Sequence, residues 1–159
     1  MISVGDTLPK ATLHRKTSEG MEALSTQEYL GTGLVVLFAV PGAFTPTCSD
    51  YHLPGFVDSA EAFKEKGVDK IVCMAVNDAF VMEAWGKTRG TEGKVDMVAD
   101  GNGDFARALG LELDLTAKGL GKRAQRFAMV IANGVVTHLF VEEGGAFKVS
   151  GAEYVLENM

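Results

Sequence analysis

Apolar positions in this chain gather into short unbroken runs rather than long alternating ones. The longest is Leu34-Val35-Val36-Leu37-Phe38-Ala39-Val40, and Ile71 to Val76 repeats the pattern. Charge-free runs of this length, bounded by turn residues, predict strands covered on both faces. Phe127 to Ala132 and Val135 to Val141 flank Asn133-Gly134, the strongest short hairpin signal in the chain. Ala11 to Lys16 and Val95 to Ala99 read as shorter strands. Between the strands the pattern turns helical. Ser25 and Glu28 have capping-box spacing for a short helix ending near Gly31. Thr45 and Pro46 suit an N-cap and a first helical position, and that helix is expected to break at Pro54-Gly55 and end near Gly67. Asn77-Asp78 cap a helix reaching about Thr88, Gly103 to Leu109 form a short helix stopped by Gly110, and a last helix runs from about Gly151 to Asn158.

Strands alternating with helices, followed by a hairpin and a terminal helix, predict an α/β layer fold with a mixed central sheet flanked by helices. At 159 residues the chain is read as one domain, 1–159. A net charge of −6 disfavours nucleic acid or an anionic membrane as partner. The N-terminus lacks the basic start and apolar run of a signal peptide, and no apolar stretch is long enough to span a bilayer. Two cysteines do not make a disulfide scaffold; they fit reactive use in a reducing compartment. The expected location is cytoplasmic, or organellar if a transit peptide has been removed.

The candidate chemistry centres on Pro41-Gly42-Ala43-Phe44-Thr45-Pro46-Thr47-Cys48, directly after the longest apolar run. Cys48 falls in the first turn of the expected helix, near unpaired N–H groups and the positive end of the helix dipole. Both favour thiolate over thiol, which is how a cysteine becomes a nucleophile. The alternative for Cys48 is a small buried hydrophobe. The Thr45 hydroxyl is placed to cap the helix through the Cys48 N–H, to hold an oxygen substrate, or both.

Pro41, Thr45 and Cys48 reproduce the Pro-x-x-x-Thr-x-x-Cys signature of the peroxiredoxins. The longer string PGAFTPTCS, then HLPGF at His52 to Phe56, resembles their type II branch, the peroxiredoxin-5 subfamily. KIVCMAVND at Lys70 to Asp78, VMEAWG at Val81 to Gly86, ADGNGDFARALGLELDL at Ala99 to Leu115 and QRFAMVI at Gln125 to Ile131 extend the likeness over nearly the whole chain. The resemblance implies a thioredoxin-like core with an N-terminal extension. It also implies a metal-free thiol peroxidase acting on hydrogen peroxide and alkyl hydroperoxides through a Cys48 sulfenic acid. Arg126 matches the family's active-site arginine; by sequence alone it reads first as an ordinary strand-edge charge beside Lys122 and Arg123. No bound cofactor is implied. Glutathione with glutaredoxin, or thioredoxin, is the implied reductant, and a homodimer the implied assembly.

Cys73, inside the run Ile71 to Val76, is read either as a packed thiol or as a resolving cysteine that captures oxidised Cys48. His52, four residues after Cys48, either lines the substrate pocket or simply packs. Phe44 is read as an apolar lip of that pocket. His14 and His138 have no partner at metal-ligand spacing, so no metal site is expected. Gly101-x-Gly103 lacks the third glycine of a dinucleotide fingerprint. Two rival readings are a redox sensor that uses Cys48 oxidation to switch a partner, and a chaperone-like assembly in which the fold is only scaffold.

Overall fold

The computed structural model describes residues 1–159. The strands are β1 (Thr12–Thr17), β2 (Gly20–Ser25), β3 (Leu34–Ala39), β4 (Lys70–Ala75), β5 (Asp96–Ala99), β6 (Glu112–Leu115), β7 (Gly121–Ala124), β8 (Phe127–Ala132) and β9 (Val135–Val141). The helices are α1 (Thr26–Tyr29), α2 (Leu53–Asp58), α3 (Ala60–Glu65), α4 (Ala79–Thr88), α5 (Asp104–Leu109) and α6 (Ala152–Asn158), with a π-helical turn at Cys48–His52.

The unbroken apolar runs form the middle of a seven-stranded mixed sheet of order β2-β1-β5-β4-β3-β8-β9. Strands β3, β4 and β5 are parallel, while β8 and β9 continue the sheet antiparallel on one side and β1 and β2 on the other. Side-chain alternation then splits the core in two. Val36, Phe38, Ile71 and Cys73 face a layer that includes Leu53, Phe56, Phe63, Trp85 and Val155, from the helices around the π-turn, α4 and α6. Val35, Leu37, Val72 and Met74 face the opposite layer with Leu30, Phe105 and Leu109. Burial on both faces is why these strands carry no alternating polar residues.

Most of the expected elements are present. Asn133 and Gly134 both take positive φ, 48° and 84°, which makes the two-residue turn joining β8 to β9. Asp78 caps α4 by accepting from the Val81 N–H at 2.8 Å, and Gly110 ends α5 at φ 72°. Three expectations are corrected. The Ser25 side chain caps nothing; the neighbouring Thr26 hydroxyl instead donates to the Pro9 carbonyl and accepts from the Ala11 N–H, tying α1 to the strand entry. The helix after Cys48 does not break at Pro54-Gly55 but at Ser59, between α2 and α3. Leu53 donates to the Cys48 carbonyl, five residues back, so the turn before Pro54 is widened. That widening makes room for a proline ring that would otherwise clash with the preceding turn. Finally, the β1–β2 hairpin and the small β6–β7 sheet are additions to the expected plan.

Candidate active site

Two strand ends bring the candidate residues together. Ala39 of β3 pairs with Phe127 of β8, so the residue before β8, Arg126, stands beside the exit of β3 and the loop that leads to Cys48. Arg126 Nη2 donates to Cys48 Sγ at 3.0 Å across 78 positions of sequence. Cys48 itself is fully buried. The sulfur therefore sits under the surface with a permanently charged, fork-shaped donor aimed at it.

The other arm of the fork is also committed. Arg126 Nη1 meets His52 Nδ1 at 2.8 Å, and His52 Nε2 meets the Ser150 carbonyl oxygen at 2.9 Å. A carbonyl can only accept, so Nε2 carries the proton and Nδ1 accepts from the guanidinium. The ring is buried among Phe38, Phe56 and Phe147. Burial first, and the Arg126 charge second, push its pKa down to about 3, which keeps the imidazole neutral. Both His52 ring nitrogens are thus committed, and Nδ1 orients the arginine that meets the sulfur. A neutral acceptor achieves this without cancelling the positive charge presented to Cys48, as a carboxylate would.

The loop Pro41–Thr45 is braced from three directions. The Thr45 hydroxyl donates to the Gly42 carbonyl at 2.7 Å rather than capping the helix, whose first turn begins at Pro46. The Ala43 N–H donates to Asn77 Oδ1 at 3.0 Å. Arg123 Nη1 donates to the Pro41 carbonyl at 3.3 Å, with its Nε on the Leu120 carbonyl at 2.8 Å. Gly42 admits this close approach: a Cβ there would stand 3.0 Å from Arg123 and 3.2 Å from Thr45. Phe44 takes φ 65°, a left-handed conformation that costs an aromatic residue roughly 1–3 kcal/mol and is held by these braces. Its ring is half exposed and leans on Trp85 with centroids 6.3 Å apart. Trp85 in turn donates its buried Nε1–H to Ser49 Oγ at 2.9 Å, fixing α4 to the residue after Cys48.

Cys73 shares the apolar layer of Cys48 but has a different backbone setting. It lies in the middle of β4, in register with Phe38 on one side and Met97 on the other, and burial pushes its thiol well up. Both cysteines are free. No group of His, Cys, Asp and Glu side chains is arranged to hold a metal ion. Sequence reasoning missed Asn77, Arg123, Glu142 and Ser150. Arg123 had a signal, its place three residues before Arg126, but a cation near a strand edge is too common to single out. The other three contribute backbone-directed bonds that no residue pattern announces.

Comparisons with known proteins bear on the family and the fold. The redoxin family profile matches residues 3–156. Peroxiredoxin-2D of Arabidopsis thaliana is 49% identical over 157 residues, covering 98% of this chain and 97% of that protein. The chloroplastic peroxiredoxin-2E of the same plant is 52% identical over 160 residues, covering 98% of this chain and 68% of that protein. Among solved structures, reduced Prx3 of Vibrio vulnificus in complex with hydrogen peroxide superposes with a TM-score of 0.95 at 53% identity, over 99% of this chain and 98% of that one. The mixed sheet with its flanking helices is thus the thioredoxin-like fold of these relatives. The chain belongs to the peroxiredoxins, type II in kind: a cysteine-based thiol peroxidase that needs no prosthetic group and is recycled by thiols.

Proposed function

We propose that Cys48 is the peroxidatic nucleophile and that Arg126, Thr45 and Pro41 serve it. The observation that carries this reading is the Arg126 Nη2 donor 3.0 Å from Cys48 Sγ. The Cys48 thiolate attacks the terminal oxygen of a hydroperoxide. An S–O bond forms, the O–O bond breaks, and the departing oxygen leaves as water or an alcohol once protonated. Sulfur is oxidised by two electrons to a sulfenic acid. Charge develops on the departing oxygen, and a guanidinium fixed beside the sulfur stabilises it where it appears. Thr45 has spent its one proton on the Gly42 carbonyl, so its lone pairs are left to accept the peroxide O–H. Pro41 supplies the carbonyl on which Arg123 braces the loop. The peroxide held by the Vibrio vulnificus relative supports the substrate class.

In the second half-reaction an external thiol attacks the sulfenic sulfur, giving a mixed disulfide and water. A second thiol then releases Cys48 and leaves as the disulfide. Glutathione with glutaredoxin is the favoured reductant, with thioredoxin as the dithiol alternative. Cys73 is assigned to packing, because the backbone of a strand flanked by strands on both sides cannot swing toward Cys48 without opening the sheet. The 159 residues act as one domain, the location is cytoplasmic, and the assembly is a homodimer. Large apolar side chains left exposed on the elements around Cys48, namely Phe44, Tyr51 and Phe80, support that last assignment.

The test is mass spectrometry after one equivalent of an alkyl hydroperoxide, with and without glutathione. A sulfenate or glutathione adduct on Cys48 with Cys73 free is expected. A Cys48–Cys73 disulfide would overturn the external-thiol reading, and an unmodified Cys48 would overturn the nucleophile.

A further inference from the structure

We propose that Glu142 is a positioning residue for Arg126, because it closes a ring of hydrogen bonds that begins and ends on that arginine. The inference rests on the reading of Arg126 as the cation that serves Cys48. The Glu142 backbone N–H donates to the Arg126 carbonyl at 3.0 Å. Its carboxylate oxygen Oε2 accepts from the backbone N–H groups of Lys148 (2.8 Å), Val149 (2.9 Å) and Ser150 (2.9 Å) and from the Ser150 hydroxyl (2.7 Å). The Ser150 carbonyl then accepts from His52 Nε2, and His52 Nδ1 accepts from Arg126 Nη1. Nη2, the donor to Cys48, lies outside the ring.

The segment from Glu143 to Ser150 has no helix or strand of its own and contains Gly144-Gly145. A flexible stretch of this kind would not by itself aim a carbonyl at a buried imidazole. The Glu142 carboxylate supplies the missing order. Its residue is only 5% exposed, and all four donors to Oε2 come from residues 148–150. Burial alone pushes this carboxyl up; the donors from Ser150, Lys148 and Val149 outweigh it and hold the group below its ordinary value, hence charged.

Two groups around Arg126 depend on this arrangement. The first is the Ser150 carbonyl, which decides the His52 tautomer. If it turned away, Nδ1 could carry the proton and would then face the Arg126 N–H with no lone pair. The second is Phe147, whose ring lies 5.8 Å from the guanidinium carbon and 5.0 Å from the imidazole. The Glu142 N–H on the Arg126 carbonyl extends the β8–β9 pairing past Phe127 and Val141 and fixes the arginine's main chain. Glu142 thus holds the arginine at its backbone and at its fork, without contacting sulfur or peroxide. No residue pattern suggested it.

The experiment is a double-mutant cycle on the rate of Cys48 oxidation by hydrogen peroxide, read by quenched flow and mass spectrometry of the trapped sulfenate. Glu142→Ala in the wild-type background should slow oxidation by about 10²-fold, the scale of loss when a catalytic group is misplaced by roughly an ångström. In an Arg126→Ala background the same change should cost nothing further, because the group it positions is gone. An equal loss in both backgrounds, or no loss in the wild type, overturns the proposal. If Glu142→Ala does not fold, Glu142→Gln keeps an oxygen of the same shape; a smaller loss, again confined to the background with Arg126, is expected, and an equal loss in both overturns it. Cys48→Ser and Arg126→Ala alone keep the underlying reading separate. Oxidation that persists in the first, or full speed in the second, rejects the active-site assignment whatever Glu142 does.

Discussion

The two cysteines share one apolar layer and are both fully buried, yet their settings differ. Cys73 sits inside a strand, in register between β3 and β5, and burial pushes its thiol up. Cys48 sits where the chain has left β3 and turned into a widened helical turn, and it meets a guanidinium N–H. Burial by itself makes a sulfur inert, because a charged thiolate is costly in an apolar interior. It becomes useful only where the fold also delivers a charged donor, and strand interiors have no free direction from which to deliver one.

The sharpest way to break this contrast is to exchange each sulfur. Cys48→Ser should abolish peroxide turnover, while Cys73→Ala should leave turnover unchanged and lower stability by about 1 kcal/mol for the small void left behind. Peroxide consumption with a thiol reductant and urea unfolding of both variants check this. Loss of turnover in Cys73→Ala would return a chemical role to that thiol. Next in size is the donor. Arg126→Ala should reduce the rate of Cys48 oxidation about 10²–10³-fold, the usual effect of removing one preorganised donor from a developing anion. Arg126→Lys should recover only part of it, because a single ammonium cannot reach His52 and the sulfur together.

His52 sharpens the comparison through pH. Its pKa is held near 3 in the folded protein against an ordinary 6.5, mainly by burial and then by Arg126. As pH falls below 6.5 the unfolded chain takes up a proton that the folded chain refuses, so stability is lost progressively down to about pH 3. In His52→Asn that contribution disappears, and the decline in urea midpoint between neutral pH and about pH 4 should be shallower than in the wild type. A decline of unchanged slope would mean that His52 is not held neutral. The last test concerns Ser49 and bears on stability rather than on turnover. Ser49→Ala leaves the buried Trp85 N–H without its acceptor and should cost roughly 1–3 kcal/mol in thermal or urea unfolding. The indole emission reports directly on the lost bond.

The buried strands were readable because they are uniformly apolar, and the β8–β9 turn because Asn133-Gly134 tolerates positive φ at both positions. The edge strand β2 and the β6–β7 hairpin were not. GMEALS and GKRA are mostly polar or exposed, and their strand state comes from pairing with a neighbour, which no local pattern encodes. The break at Ser59 was likewise hidden: Pro54-Gly55 looks like an interruption until the π-turn before it absorbs the strain.

The same division runs through the site. The sequence by itself determined the nucleophile candidate and its family, since Pro41, Thr45 and Cys48 lie within one short stretch whose spacing carries the signal. Only the tertiary structure decided what surrounds the sulfur. The β3–β8 register sets Arg126 beside Cys48, and the Glu142-ordered segment sets Ser150 on His52. Each of those contacts joins residues far apart in the chain through groups whose direction depends on packing, and direction is what a one-dimensional pattern does not contain.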